Sequence, residues 1–365
     1  MYVSNRRRLW WRSLVVPSVL ALVLAACGGG DDGETGDDTE AETTEGETTE
    51  AAAGETTTAE EGGSETTEAE EAAGGEDWPE ELVFAAVPSE EATELVDSWQ
   101  PMLDALSERL GGIPIEFVSA TDYAAVVEAQ VAERAAIAFY GPFGYVVARN
   151  AGADIEALVA QIDSEGEPPG YQSYLVTTPD RDDISEVADL EGKTVCLVDP
   201  TSTSGGLYPM AMMLDAGLDP DTDLTATYTG AHDASVLAML SGDCEAAFAF
   251  DTMVDRVLPE RGEYEEGDVK IVDKSVVIPG SPIAAGNWLP DDLKTAIQEA
   301  LVEINAEVLN EEGLCPDDRV VEEEGVSMCR IGDEARWGAE SVDDAYYDGI
   351  REVCELTQAP ACEGE

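Results

Sequence analysis

Residues 194–214 read TVCLVDPTSTSGGLYPMAMML. Thr194 to Val198 is a short apolar run. The turn from Asp199 to Gly206 holds a proline, three consecutive hydroxyls and two glycines, and LYPMAMML then takes up a helical period. The segment therefore reads strand, turn, helix. The same grammar recurs on both sides. Leu82 to Val87 runs into Pro88-Ser89, Ile115 to Val118 into a turn ending at Tyr123, and Ala136 to Phe139 into Tyr140-Gly141-Pro142. Thr225 to Tyr228 runs into Thr229–Asp233, and Ala246 to Phe250 into Asp251-Thr252. Runs this short and this apolar suit strands buried on both faces, and their alternation with helices predicts an α/β fold with mostly parallel sheets. A polar interval at 179–193 and the Pro/Gly-rich 278–283 read as crossings between two lobes. Lobe 1 is then expected over 78–177 plus 281–365, and lobe 2 over 180–278. No repeat of 20–50 residues points to a solenoid.

In open α/β sheets ligands bind beyond the carboxyl ends of the strands. The distinctive polar residues stand in those turns. Ser202, Thr203 and Ser204 open a helix whose free N–H groups favour an anion. One hydroxyl suffices for an N-cap, so three in a row point to anion binding. His232, the only histidine in the chain, and Asp251 stand at two further strand-to-helix turns of lobe 2. Tyr123 and Tyr140 open two helices of lobe 1. Tyr171 and Tyr208 are weaker pocket candidates.

FVSATDYAAVVEA, AFYGPFGYVVA, LVDPTSTSGGLYP, GAHDASVLAMLSGDCEAAFAFDT and VIPGSPI follow one another over about 82–305. In order and spacing they resemble the phosphate/phosphite/phosphonate-binding proteins of ABC importers. The resemblance implies a two-lobed periplasmic-binding-protein fold of type II, hinged at two crossovers and closing on a phosphorus oxyanion. It also implies roles: Ser202, Thr203 and Ser204 as the cradle, Tyr123 and Tyr140 as aromatic contacts, His232 and Asp251 as polar partners. An ABC permease with its ATPase is the implied partner, and no catalysis or cofactor is expected. Nothing carries over to the cysteine-rich segment 313–365. Two rival readings remain: a ligand-binding partner of a membrane sensor, and a hydrolase using Ser202 or Ser204 with His232 and Asp251. The second lacks a G-x-S-x-G elbow.

The ends of the chain fit export. Arg6, Arg7, Arg8 and Arg12 precede an apolar stretch from Leu14 to Ala26, too short to span a bilayer. Leu24-Ala25-Ala26-Cys27 resembles a bacterial lipobox, so residues 1–26 are expected to be a signal and Cys27 a lipid-bearing residue at the outer face of the cell membrane. Residues 28–77 hold 19 acids and no base, with no aliphatic side chain larger than Ala. They read, with Cys27, as an anchor and disordered tether. The whole chain of 365 residues carries a formal charge of −62, which excludes nucleic acid as a partner. A monomer is expected. Cys196, Cys244, Cys315, Cys329, Cys354 and Cys362 suggest disulfides. Fifteen pairings are possible, and short-range closure favours Cys315–Cys329 and Cys354–Cys362, leaving Cys196–Cys244. With one histidine and no CxxC, a zinc site is not indicated.

Overall fold

The computed structural model describes Gly75 and residues 77–323 and 325–363. The expected signal over 1–26, Cys27 and nearly all of the acidic stretch lie outside the described residues. Among those described, no helix is long and apolar enough to cross a membrane.

Lobe 1 begins with β1 (Leu82–Ala86), α1 (Ala92–Arg109), β2 (Ile115–Ser119), α2 (Tyr123–Val131), β3 (Ile137–Phe139), α3 (Pro142–Asn150) and β4 (Ile155–Ile162). The chain crosses through β5 (Gly170–Tyr171) into lobe 2, built from β6 (Ser173–Thr177), β7 (Thr194–Leu197), α4 (Tyr208–Asp215), β8 (Thr225–Tyr228), α5 (His232–Ser241), β9 (Ala246–Phe250), α6 (Leu258–Glu260) and β10 (Lys270–Lys274). It returns through β11 (Ile278–Pro279) to β12 (Pro282–Gly286), α7 (Asp291–Glu303) and α8 (Ala306–Glu311). The hairpin β13 (Val320–Glu323) and β14 (Val326–Cys329), then β15 (Gly338–Ser341) and α9 (Asp348–Thr357), complete it.

The sheet of lobe 1 has the order β15-β4-β12-β3-β1-β2, and that of lobe 2 the order β10-β6-β9-β7-β8. Strands joined by a helix within a lobe pair in parallel: β1 with β2 and β3, β7 with β8 and β9. Around β12 in lobe 1 and β6 in lobe 2 every pairing is antiparallel. The sheets are therefore mixed rather than mostly parallel, because these strands enter from the hinge and run the other way. β6 belongs to the second sheet, so the first crossing lies at 163–172, earlier than the polar interval 179–193. The second crossing falls at the Pro/Gly-rich stretch as expected. The two crossings pair with each other as one antiparallel ribbon, Tyr171 opposite Ile278.

The apolar pattern sets what is buried. All five residues of β9 (AAFAF) are buried, as a strand covered on both faces requires. On α1, Leu95, Trp99, Met102 and Leu106 make one inward stripe. Trp99 packs between Phe84 and Phe139, with ring centroids 5.2 and 4.6 Å away. Disulfides join Cys196–Cys244, Cys315–Cys329 and Cys354–Cys362. The lobes touch across the cleft: the His232 N–H donates to Ser89 O at 2.8 Å, and the Phe143 N–H to Thr203 Oγ1 at 2.9 Å. The Glu91 N–H donates to Asp233 Oδ2 at 3.1 Å.

Candidate functional site

The turn after β7 builds one wall of a cavity between the lobes. Ser202 caps it, accepting from the Gly205 N–H at 3.2 Å, and the first turn, Thr203–Leu207, is wound as a π-helix before α4 continues. The chain doubles back so closely that a Cβ on Gly205 would lie 2.2 Å from Val198 Cγ2. Glycine is the residue that fits, and the close fold turns the three hydroxyl residues, each at most 2% exposed, toward the cleft.

A small cavity, about 10 Å³, lies there. From lobe 2 it is lined by Ser202, Thr203, Ser204, His232 and Phe250, and from the hinge by Tyr171. Lobe 1 contributes Val87, Ser89, Tyr123, Phe139 and Gly141. Gly141 lets the lobes meet: a Cβ there would stand 2.8 Å from Thr203 Oγ1. Asp333 and Glu334, in the turn between β14 and β15, close the remaining side.

His232 has a defined tautomer. Its Nδ1 accepts from the Phe250 N–H at 3.3 Å, so the proton sits on Nε2, which faces Ser202 Oγ at 3.4 Å. Burial lowers its pKa to about 3, so the ring is a neutral donor near pH 7. Burial also raises the Tyr123 phenol well above its ordinary range, against the pull of a hydrogen bond to Ser202. The Tyr171 phenol is raised for the same reason, with Glu334 adding to it and the nearby hydroxyls of Thr203, Ser204 and Ser281 opposing it. All of these stay protonated and available to donate. The cavity is thus lined by uncharged donors, with no lysine or arginine among the lining residues.

Two expected site residues stand off the cavity. The Tyr140 hydroxyl donates to Gln130 Oε1 at 3.0 Å inside lobe 1. Asp251 accepts from the Gln172 and Thr252 N–H groups at 2.8 and 2.9 Å and pairs with Arg336 at 3.6 Å. Burial raises its pKa, which Arg336 opposes. Tyr208, buried in α4, also lies away from the cavity, its pKa raised by burial to about 12. Since Asp251 does not reach His232, whose Nδ1 is occupied by a backbone donor, no Ser–His–Asp relay is assembled. Ser89 was within reach of sequence reasoning, because it follows the carboxyl end of β1. Asp333 and Glu334 carried no local signal.

A two-lobed α/β molecule with uncharged donors converging in the closed cleft is a solute-binding protein of the type II periplasmic class. Residues 84–324 match the family model described as ABC transporter, phosphonate, periplasmic substrate-binding protein. The phosphate-import protein PhnD of Mycolicibacterium smegmatis is 42% identical over 300 residues, 79% of this chain and 89% of its own. The phosphonates-binding periplasmic protein of Escherichia coli is 26% identical over 231 residues, covering 62% of this chain and 67% of its own. Among solved structures, PhnD1 of Prochlorococcus marinus in complex with methylphosphonate superposes with a TM-score of 0.63 at 14% identity, covering 77% of this chain and 99% of that one. The chain belongs to the family of phosphonate ABC-transporter substrate-binding proteins. It is a binding component of an importer and not an enzyme.

Proposed function

We propose that the cavity captures a phosphorus oxyanion, of the phosphate, phosphite or phosphonate class, and that the protein hands it to an ABC permease. Ser202, Thr203, Ser204, His232, Tyr123 and Tyr171 hold the ligand, and Tyr140 and Asp251 support the fold around it. A lipid on Cys27 tethers the monomer to the outer face of the membrane. The observation that carries the reading is the convergence of uncharged donors from both lobes and the hinge on one small buried cavity. Hydrogen bonds to a charged group contribute about 1.5–3 kcal/mol each, so five or six are enough to reach the ~8 kcal/mol of micromolar affinity without any basic side chain. The printed names of the relatives, phosphate import and phosphonate binding, point the same way.

Calorimetric titration of the full-length protein with inorganic phosphate, phosphite, methylphosphonate and 2-aminoethylphosphonate tests it. Micromolar or tighter binding of at least one, weakened tenfold or more in Ser204→Ala and His232→Ala, is expected. Silence for all four from folded protein would overturn the reading.

A further inference from the structure

The acceptor side of the cavity is built differently from the donor side. Asp333 and Glu334 sit in the turn 330–337, pinched by an Ile331–Arg336 bridge and delivered by a hairpin that Cys315–Cys329 ties down. Both carboxyls are buried, yet their surroundings differ. Glu334 is satisfied: Oε1 accepts from the Ser281 hydroxyl at 2.8 Å and Oε2 from Arg336 Nε at 3.3 Å. Asp333 is 1% exposed, and only its Oδ2 has a partner, the Ser89 hydroxyl. Its Oδ1 is buried with no hydrogen-bond donor, and the residue lines the cavity. A buried acceptor left in this state costs about 1–3 kcal/mol, so a donor from the ligand is the missing partner. A fully ionised oxyanion held by the opposite wall would meet Asp333 oxygen to oxygen, with nothing between them.

We infer that Asp333 is the specificity-determining residue of this site: its Oδ1 shares one proton with the bound oxyanion. The site therefore selects an oxyanion that keeps an acidic O–H, such as orthophosphate, over one that keeps none, such as sulfate. This rests on the proposal that the cavity binds a phosphorus oxyanion. Phosphate supplies the proton itself, its P–O–H donating to an ionised Asp333, and none is drawn from water. Sulfate supplies none, so Asp333 must first take one up. The groups around Asp333 are Ser89, Glu334 on its own turn, Glu90 ahead of α1 and Tyr123 of α2, with Tyr171 and His232 lining the same cavity. Arg336 is ion-paired to Glu334 and Arg261 to Glu90. Once the cleft is shut, burial, with Glu334 and Glu90 adding to it, pushes the Asp333 carboxyl well above the usual carboxylate range, so the carboxylate needs a proton on closure, which phosphate brings and sulfate does not. An ammonium is a poorer occupant. It brings three donors, whereas Glu334 is already satisfied and the opposite wall is built of donors.

The test titrates full-length wild type, Asp333→Asn and Ser204→Ala with inorganic phosphate, sulfate and 2-aminoethylphosphonate at pH 7. Wild type is expected to favour phosphate over sulfate by 100-fold or more. In Asp333→Asn the amide donates to an ionised oxygen without needing a proton. Phosphate should weaken about tenfold, sulfate gain about tenfold, and the preference collapse. Ser204→Ala should weaken both and keep their ratio. If thermal melting shows Asp333→Asn unfolded, Asp333→Ser, which also supplies a donor, must show the same collapse. A ratio within threefold of wild type in a folded variant, or wild-type sulfate binding within tenfold of phosphate, overturns the inference and leaves the proposed function standing. So does tightest binding of 2-aminoethylphosphonate, lost selectively in Asp333→Asn, since Asp333 would then hold the ammonium. No binding of any of the three to wild type overturns the inference, and silence for phosphite and methylphosphonate as well overturns the proposed function with it.

Discussion

Ser202, Thr203, Ser204 and His232 reach the cavity from two helix starts at the carboxyl end of a buried sheet. Asp333 and Glu334 reach it from a turn held by a disulfide-tied hairpin and one buried arginine. The first wall is neutral, rigid and made by local sequence: its donors are placed by the same turns that cap the helices. The second is charged and made by tertiary contacts: Arg336 bonds to both Asp163 oxygens at 2.8 Å and also pairs with Glu334 and Asp251. On the proposed function, the donor wall supplies attraction for any small oxyanion, and the acceptor wall decides which one. Affinity and selectivity are thereby assigned to different parts of the chain.

The sharpest way to break this division is Arg336→Met. It leaves buried carboxylates without their countercharge, and a loss of about 3–5 kcal/mol in urea unfolding is expected. A loss below about 1 kcal/mol would show that the acceptor wall does not depend on the arginine. Next, Cys315→Ser with Cys329→Ser and Cys354→Ser with Cys362→Ser should each destabilise by about 2–3 kcal/mol, since the loops closed are 14 and 8 residues apart in sequence. Only the first pair, which holds the acceptor turn, should alter phosphate affinity by calorimetry. Equal effects of the two pairs on binding would erase the distinction.

His232 gives an acid-side test of the donor wall. Its value in the fold, about 3, lies below the ordinary 6.5, so its neutral burial contributes fully above pH 6.5 and is lost as pH falls toward 3. Relative to His232→Gln, the wild type should lose about 2 kcal/mol between pH 7 and pH 5 in denaturant melts. A difference that stays level with pH would mean that the ring is not buried as a neutral donor. The smallest effect concerns the outer surface. The charge of −62 repels an anion at long range, so stopped-flow association of phosphate should rise roughly two- to threefold between low salt and 0.3 M. A rate that falls with salt would place a local positive path at the entrance.

How much of this was legible follows the same division. Short runs ending in polar turns located β1, β2, β3, β7, β8 and β9, although the edge strands β2 and β8 are not buried on both faces as expected, and the hydroxyl turn located the donor wall. Tyr140 and Asp251 were misplaced by a single residue each. Along a strand, neighbouring side chains point to opposite faces, and it is Phe139 and Phe250, each one position earlier, that line the cavity. Sequence shows where a strand ends but not which face its last residue takes. The β6 strand was assigned to the wrong lobe because a polar interval inside lobe 2 resembled a crossing. The acceptor wall was invisible: Asp333 follows β13 and β14 in a segment whose position depends on a disulfide and on Asp163, 170 residues upstream of it.

The hinge ribbon, finally, contains a residue of the cavity. Tyr171 pairs with Ile278 in the strands about which the lobes turn and also faces the three hydroxyl residues' wall. In a rigid rotation, displacement grows with distance from the axle, so Tyr171 travels least while Tyr123 and Ser202, on opposite arms, travel most. Were the lobes to open about this ribbon, Tyr171 would keep its place while the other donors swung away from it.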